Sequence, residues 1–246
     1  MVVLSQLVGM ALTLVIATIR GEPFPAGNDL LLCLVAGVFG GLGITAPYRG
    51  LSVGRMGIVA PITGVLAAII PVVGGIVLEG WPSGLVVAGI AVAILAVVLV
   101  SRVADEGGGR AGLAEALVAG TAIGLFGIVI SQIGDGFVFG SLTVIRGVQV
   151  VLVTLVVVLS RSAWRLPRSA LKVVIAVGVL DMMGNAFYLL GVQSGALAIA
   201  AVLSSLYPVT TVILAALLLR ERVTRVHTIG IGLAAAAIAL IGLGSA

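Results

Sequence analysis

Long apolar runs separated by short polar breaks dominate the pattern of this chain. Each run is close to the roughly 20 residues that an α-helix needs to cross a bilayer. Runs such as 150–159 and 233–243 are apolar at consecutive positions, whereas strands of a membrane barrel alternate apolar and polar side chains. The pattern therefore predicts nine transmembrane helices. These predicted spans cover residues 2–19, 30–48, 56–78, 83–101, 113–133, 138–160, 170–191, 196–219 and 227–244.

The composition places the whole chain in the membrane. Of its 246 residues, 61% are hydrophobic and 9% are charged, whereas soluble chains are about half apolar and a quarter charged. Nine spans leave only short connections, which excludes a separate soluble catalytic or nucleotide-binding domain. The basic excess, 13 Lys and Arg against 9 Asp and Glu, then belongs to loops and indicates no nucleic-acid partner. The predicted fold class is an all-α polytopic membrane protein.

The basic residues are distributed unevenly between the two sides of the predicted bundle. Arg20 alone lies on the side opposite the amino terminus, and Arg146 lies inside a span. Because Lys and Arg concentrate in cytoplasmic loops, we predict that the amino-terminal side is cytoplasmic and the carboxyl terminus is outside. The other eleven basic residues lie on the amino-terminal side: Arg49, Arg55, Arg102, Arg110, Arg161, Arg165, Arg168, Lys172, Arg220, Arg222 and Arg225.

The two halves of the sequence match each other over four spans. An offset of 141 residues places Gly37 on Gly178, and an offset of 137 places Pro71 on Pro208. The shift carries the first span onto the sixth, and a step of five spans reverses orientation, so we predict two inverted-topology repeats. The predicted divisions are a four-helix repeat over 1–101, a connecting loop over 102–112 and a five-helix repeat over 113–246.

The fifth span has no counterpart in the first half. Residues 113–133 would align before residue 1, so the first repeat is one helix short. We therefore expect a ten-helix, five-plus-five bundle whose first helix is absent from this sequence. A nine-helix protein is the alternative.

A family resemblance rests on residues 201–244, AVLSSLYPVTTVILAALLLRERVTRVHTIGIGLAAAAIALIGLG. A proline midway along one span, a Glu-Arg pair at its end and a glycine opening the last span resemble an EamA-like repeat of the drug/metabolite transporter superfamily. Residues 48–84 echo the pattern, with Glu79-Gly80-Trp81 where it prefers Gly-Glu-Arg. The resemblance implies an inner-membrane carrier of metabolites, amino acids or drugs, often an exporter, working by alternating access. It also implies two cytoplasmic termini, and here we favour the charge distribution instead.

Two charged residues, Arg146 and Asp181, lie deep within the predicted spans. A charge at bilayer depth costs several kcal/mol unless it is paired or hydrated. The two residues lie about 14 and 10 positions from their shared loop, which gives similar depths at 1.5 Å per residue, so the two could form an ion pair. Two interpretations stay open: a site that couples transport to a proton through Asp181, or a static pair between two helices.

Asp181, Asn185 and Tyr188 follow at i, i+4 and i+7 on one helical face. This is the densest polar stripe in the predicted bundle, so we take it as a substrate-binding or coupling face. The alternative is hydrogen bonding between helices that fixes their packing.

Hydroxyl groups and prolines mark the third and eighth spans. Thr63, Ser204 and Ser205 are candidate ligand contacts, although hydroxyls in such places commonly bond to their own helix. Proline removes a backbone hydrogen bond and kinks a helix. The predicted kinks lie at Pro61, Pro71 and Pro208.

The residues that bind metals or form disulfides are sparse. Cys33 and His227 are single residues of their types, which leaves no disulfide and no metal-ligand cluster. We therefore expect neither a metal nor another cofactor.

These observations together predict a transporter of the drug/metabolite type in the cell (inner) membrane, with proton-coupled export as its candidate mode. The expected partners are a small-molecule substrate and the lipid bilayer, with a homodimer left open. A membrane enzyme is disfavoured because no His or carboxylate pair lies at a loop edge. The remaining alternative is a non-transporting, or inactive and truncated, membrane subunit, which would not need the buried charges.

Overall fold

The computed structural model of the chain describes residues 2–53, 56–101, 113–160, 170–194, 197–214 and 224–244. Within these ranges the regular secondary structure is helical, and no strand occurs. Seven helices in the described part of the chain contain an apolar stretch long enough to cross a membrane. The predicted fold class, an all-α polytopic membrane protein, is therefore confirmed.

The described helices follow the predicted spans closely, except that the eighth span is divided in two. Each helix begins and ends within a few residues of the polar breaks. The helices are α1 (Val2–Arg20), α2 (Gly27–Val53), α3 (Met56–Glu79), α4 (Gly84–Ser101), α5 (Leu113–Ser131), α6 (Val138–Leu159), α7 (Leu171–Gln193), α8 (Leu197–Ser205), α9 (Tyr207–Leu214) and α10 (Arg225–Gly244).

Helices α1 and α3 end with the same local signal. The residue after each helix is a glycine with positive φ, +61° at Gly21 and +95° at Gly80. Glycine adopts this left-handed conformation without the steric cost of a side chain, and it commonly terminates helices. Pro23 and Pro82 follow two residues later, and a proline cannot continue a helix. The paired signals explain why both helices stop where the apolar run stops.

The eighth span breaks at Leu206, between α8 and α9. Pro208 has no N–H, so the carbonyl of Ser204, four residues earlier, loses its helical donor. The N–H of Leu206 instead bonds the carbonyl of Leu203 at 3.3 Å, a tighter turn than that of an α-helix. Beyond this break the span continues as α9.

The chain forms two compact units. Unit 1 consists of Met1–Thr45 and Phe126–Gly195, and unit 2 consists of Ala46–Leu125 and Ala196–Ala246. Unit 1 combines a segment from before residues 102–112 with one from after them, and the first segment of unit 2 runs from Ala46 across these residues to Leu125. The compact units and the predicted repeats therefore divide the chain differently. The repeat boundaries and the topology stay predictions, and most of the basic loop residues lie outside the described ranges.

In unit 1, glycines allow α2 to approach α6 closely. A Cβ on Gly37 would lie 2.5 Å from the Cβ of Val148, and one on Gly41 would lie 2.9 Å from Cδ1 of Leu152. Small residues at this four-residue spacing are typical of tight contacts between membrane helices, where backbones pack directly. α1 packs against α6 and α7 in the same unit.

In unit 2, α3 packs against α8, and α4 packs against α10. A Cβ on Gly75 would lie 2.9 Å from the backbone nitrogen of Ala198, so α3 and the start of α8 are in direct backbone contact. Beside this contact, the two carboxylate oxygens of Glu79 accept the N–H of Leu197 at 3.0 and 3.1 Å. The first N–H groups of a helix have no partner within it, so Glu79 caps α8 by accepting one of them. Its negative charge also interacts favourably with the positive end of the helix dipole.

Candidate functional site

The candidate site lies where α1, α6 and α7 of unit 1 meet. Gly178 lets α7 approach α1, because a Cβ there would lie 2.5 Å from the carbonyl oxygen of Ser5 and 3.0 Å from the Cβ of Val8. Gln6 lies beside this contact on α1, and Asp181 lies one turn beyond it on α7. The close backbone contact therefore brings these two polar side chains together.

The structure brings the two deep charges into an ion pair. Nη2 of Arg146 lies 2.8 Å from Oδ2 of Asp181. Arg146 lies 13 residues before the end of α6, and Asp181 lies 10 residues after the start of α7. These positions are about 20 and 15 Å along the helix axes, so both charges are far from either helix end. A charge at this depth needs its counter-charge.

Gln6 joins this pair, and sequence reasoning missed it. Its amide oxygen accepts Nη1 of Arg146 at 2.7 Å, and its amide nitrogen lies 3.4 Å from Oδ2 of Asp181. Each helix contributes one member, so we call the set the Gln6–Arg146–Asp181 triad. The amide uses its acceptor on the cation and its donor on the anion, which fixes its orientation.

The two charges of the triad differ sharply in exposure. The side chain of Arg146 is 1% exposed, whereas that of Asp181 is 42% exposed. Gln6 is 4% exposed and lies with Arg146 on the inner side. A molecule that reaches the triad from the open side therefore meets the carboxylate first.

Arg146 lies in a space that glycine on α1 provides. A Cβ on Gly9 would lie 2.7 Å from Nη1 and 2.9 Å from Cζ of Arg146. One turn further along α6, the amide of Gln149 occupies the corresponding space beside Gly40 on α2, where a Cβ would overlap it. Glycines on two neighbouring helices thus accommodate two consecutive polar side chains of α6.

Nε of Arg146 and Oε1 of Gln149 are among the buried atoms that have no hydrogen-bond partner among the described residues. One is a donor and the other an acceptor, and their residues are three positions apart on one face of α6. Unpartnered polar atoms cost free energy when they are removed from water. The triad thus makes polar contacts between α6 and both α1 and α7, whereas Arg146 and Gln149 on α6 keep an unpartnered donor and acceptor.

A pair of hydroxyl groups lies on the other side of Arg146, towards the start of α6. Thr143, three residues before Arg146, lies with its hydroxyl oxygen 3.0 Å from that of Thr13 on α1. Both hydroxyls also bond to carbonyls of their own helices. Thr13 and Gln6 are seven residues apart, so the same face of α1 carries both contacts. The hydroxyl pair is therefore a second polar contact between α1 and α6, beside that of Gln6 with Arg146.

Asn185 and Tyr188 share the face of α7 that carries Asp181. Both side chains are half-buried, and Tyr188 packs against the apolar core of unit 1 formed around Leu142 and Leu189. Their role in binding or coupling stays a prediction.

The remaining predicted ligand contacts belong to unit 2. The hydroxyl of Thr63 donates to the carbonyl oxygen of Ala116 on α5 at 3.3 Å, in a buried position. The hydroxyl of Ser205 donates to the carbonyl of Val202 on its own helix at 2.7 Å. Ser204 is exposed. Thr63 and Ser205 thus use their hydroxyls within unit 2, and a role of any of the three in ligand binding stays a prediction.

The three prolines also belong to unit 2. Pro61 and Pro71 lie within α3, which is a single helix from Met56 to Glu79. Pro208 lies beside the break between α8 and α9. Kinks within α3 stay a prediction.

The described residues hold no group of three or more His, Cys, Asp or Glu that could bind a metal ion. Cys33 is buried in the core of unit 1.

Comparison with known proteins gives a family and a fold. A family model described as the EamA-like transporter family matches residues 110–243, just over half of the chain. A solved crystal structure is similar in fold with a TM-score of 0.79 at 16% identity, over 98% of this chain and 85% of that chain. At this identity the likeness shows the fold alone. No curated protein was found to match the chain.

Proposed function

Because the chain belongs to the EamA-like transporter family, we propose that it carries a small polar or amphipathic solute across the inner membrane by alternating access. The observation that carries the proposal is the triad. Its ion pair lies near the middle of two membrane helices, and the side chain of Asp181 is exposed. We propose that the solute and a proton use Asp181 in turn, so that the proton gradient drives export.

The exposure of Asp181 argues against a purely static pair. A charged side chain that faces hydrocarbon at mid-membrane costs at least about 2.5 kcal/mol, so ion pairs that serve packing alone are best enclosed. Arg146 is enclosed, but Asp181 is 42% exposed. We propose that its open side faces a water-filled passage, which is what a carrier needs.

Proton coupling rests on a single carboxylate. Asp181 is the one acidic residue of α1, α6 and α7. From α6 the charged group that faces it is Arg146, and from α1 the group is the neutral amide of Gln6. A proton that binds Asp181 removes its charge, which weakens both contacts. Protonation is thus linked to how α7 is held against α1 and α6.

The test is proton-coupled transport by the purified protein in proteoliposomes. With an imposed pH gradient, a panel of amino acids, monoamines, monocarboxylates and drug-like dyes is added, and a pH-sensitive dye reports proton release. We expect at least one solute to dissipate the gradient in the parent protein. We also expect Asp181→Asn to abolish this coupling.

Asp135→Asn is the matched control, because Asp135 is an exposed carboxylate of the α5–α6 connection in the same unit. Asp181→Asn leaves Arg146 buried without its counter-charge, so the neutral double variant Asp181→Asn/Arg146→Gln is tested beside it. Solute flux with the same pH dependence in the Asp181 variants and the parent refutes the coupling role. No flux with any solute refutes the carrier and favours a non-transporting subunit.

A further inference from the structure

We infer that the transported solute is a monovalent amine cation, which binds the open oxygen of Asp181, and that one such cation is exchanged for one proton. The inference rests on the proposed function and deepens it. It follows from three properties of the triad: which oxygen is used, which charge is reachable, and how many charges the site holds.

The first property is the free oxygen. Arg146 and Gln6 both contact Oδ2 of Asp181. Oδ1 has no partner among the described residues, and the side chain is 42% exposed. A carboxylate oxygen at this position accepts hydrogen bonds and donates none. The complementary ligand group is a charged donor, and an ammonium group meets this requirement.

The second property is the position of the positive charge. A carboxylate-bearing solute needs a cation, but Arg146 is 1% exposed and lies behind Asp181. Its Nη1 is engaged by Gln6 and its Nη2 by Asp181. An anion that approaches from the open side meets the Asp181 carboxylate before it can reach the guanidinium. The negative charge of the anion and that of the Asp181 carboxylate repel each other. The site therefore selects against anions and against solutes whose carboxylate lies next to the amine.

The third property is the charge count. Arg146 and Asp181 together are neutral in the empty site. Adding either one proton or one monovalent cation to Asp181 gives the same net charge of one, and a single carboxylate cannot hold both. Each crossing of the loaded site then carries the same charge in both directions. The exchange is therefore one for one and electroneutral.

The test uses three probes with the same aromatic body and different charges. Phenethylamine is a cation, phenylalanine is a zwitterion, and 3-phenylpropionate is an anion. Binding to the purified protein in detergent is measured by calorimetry at each of several pH values, and aliphatic monoamines are added to cover differences in body shape. We expect monoamine binding that weakens as the proton concentration rises, with phenylalanine and 3-phenylpropionate bound weakly or not at all.

The Asp181→Asn variant should lose about 10- to 100-fold in amine affinity, which is the typical value of a hydrogen bond to a charged group. Asp135→Asn should bind amines as the parent does, and Asp181→Asn/Arg146→Gln should lose amine binding while keeping the fold. In proteoliposomes, amine exchange driven by a pH gradient should not change when a potassium diffusion potential is imposed.

The inference fails in any of four cases: the anionic probe binds as tightly as the cationic one, no monoamine binds, Asp181→Asn binds amines normally, or exchange depends on the membrane potential. These results can be told apart from failure of the proposed function. Proton-coupled flux of a neutral or anionic solute overturns the cation class and leaves the carrier standing. Absence of flux for the whole panel overturns both.

Discussion

Replacing Gly178 by alanine tests the backbone contact that assembles the triad. The added Cβ would lie 2.5 Å from the carbonyl oxygen of Ser5, whereas ordinary van der Waals contact begins at 3.4 Å. The two helices must therefore separate by roughly 0.9 Å, because a backbone atom cannot move aside as a flexible side chain can. Overpacking of this kind costs about 1–3 kcal/mol. The contact between Gln6 and Asp181, already 3.4 Å long, should be lost.

Gly184→Ala is the matched control on the same helix. A Cβ on Gly184 meets nothing within 4 Å, and both substitutions gain the same helix propensity, roughly 0.5–1 kcal/mol. The difference between the variants therefore isolates the overlap at Gly178. Unfolding in detergent, followed by circular dichroism, should show Gly178→Ala less stable than Gly184→Ala by about 1–3 kcal/mol. Equal stability of the two variants would show that α1 and α7 are not in backbone contact.

Three further substitutions test the surroundings of the triad and one helix cap. Gly9→Ala places a methyl group against the guanidinium of Arg146, so it should act non-additively with Asp181→Asn by about 0.5–3 kcal/mol in a double-mutant unfolding cycle; additivity would contradict the contact. Gln149→Met removes a buried, unpartnered acceptor and should raise the free energy of unfolding by about 1 kcal/mol, whereas a decrease would show that its amide oxygen has a partner. Glu79→Gln removes the charge that caps α8 and should lower the free energy of unfolding by about 0.3–1 kcal/mol, with an unchanged value speaking against the cap.

The spans were predictable because their signals are local. A run of about 20 apolar residues needs no partner to be recognised, and the glycine and proline pairs after α1 and α3 mark their ends within the sequence itself. The meeting of Arg146 and Asp181 was also predictable, since distance along each helix gives its depth in the membrane. These inferences use rise per residue and hydrophobicity, both of which a sequence contains.

Gln6 could not be found in that way. Its partners in the triad are 140 and 175 residues away in the chain. Which face of α1 meets them depends on the rotation of the helix, which the contact at Gly178 fixes and hydrophobicity does not. The available signal was a single amide in an apolar helix. The assembly of each compact unit from two separate segments of the chain could not be predicted from the local sequence pattern either, because it depends on long-range packing.

The composition of unit 1 has a consequence for biosynthesis. α1 leaves the ribosome long before α6 and α7 exist, so Gln6 is synthesised well before both of its partners in the triad. During synthesis α1 is therefore without these contacts until α6 and α7 bring Arg146 and Asp181 to it. Substitutions at Gln6 should accordingly alter the yield of inserted protein, a property separate from the rate at which finished molecules work.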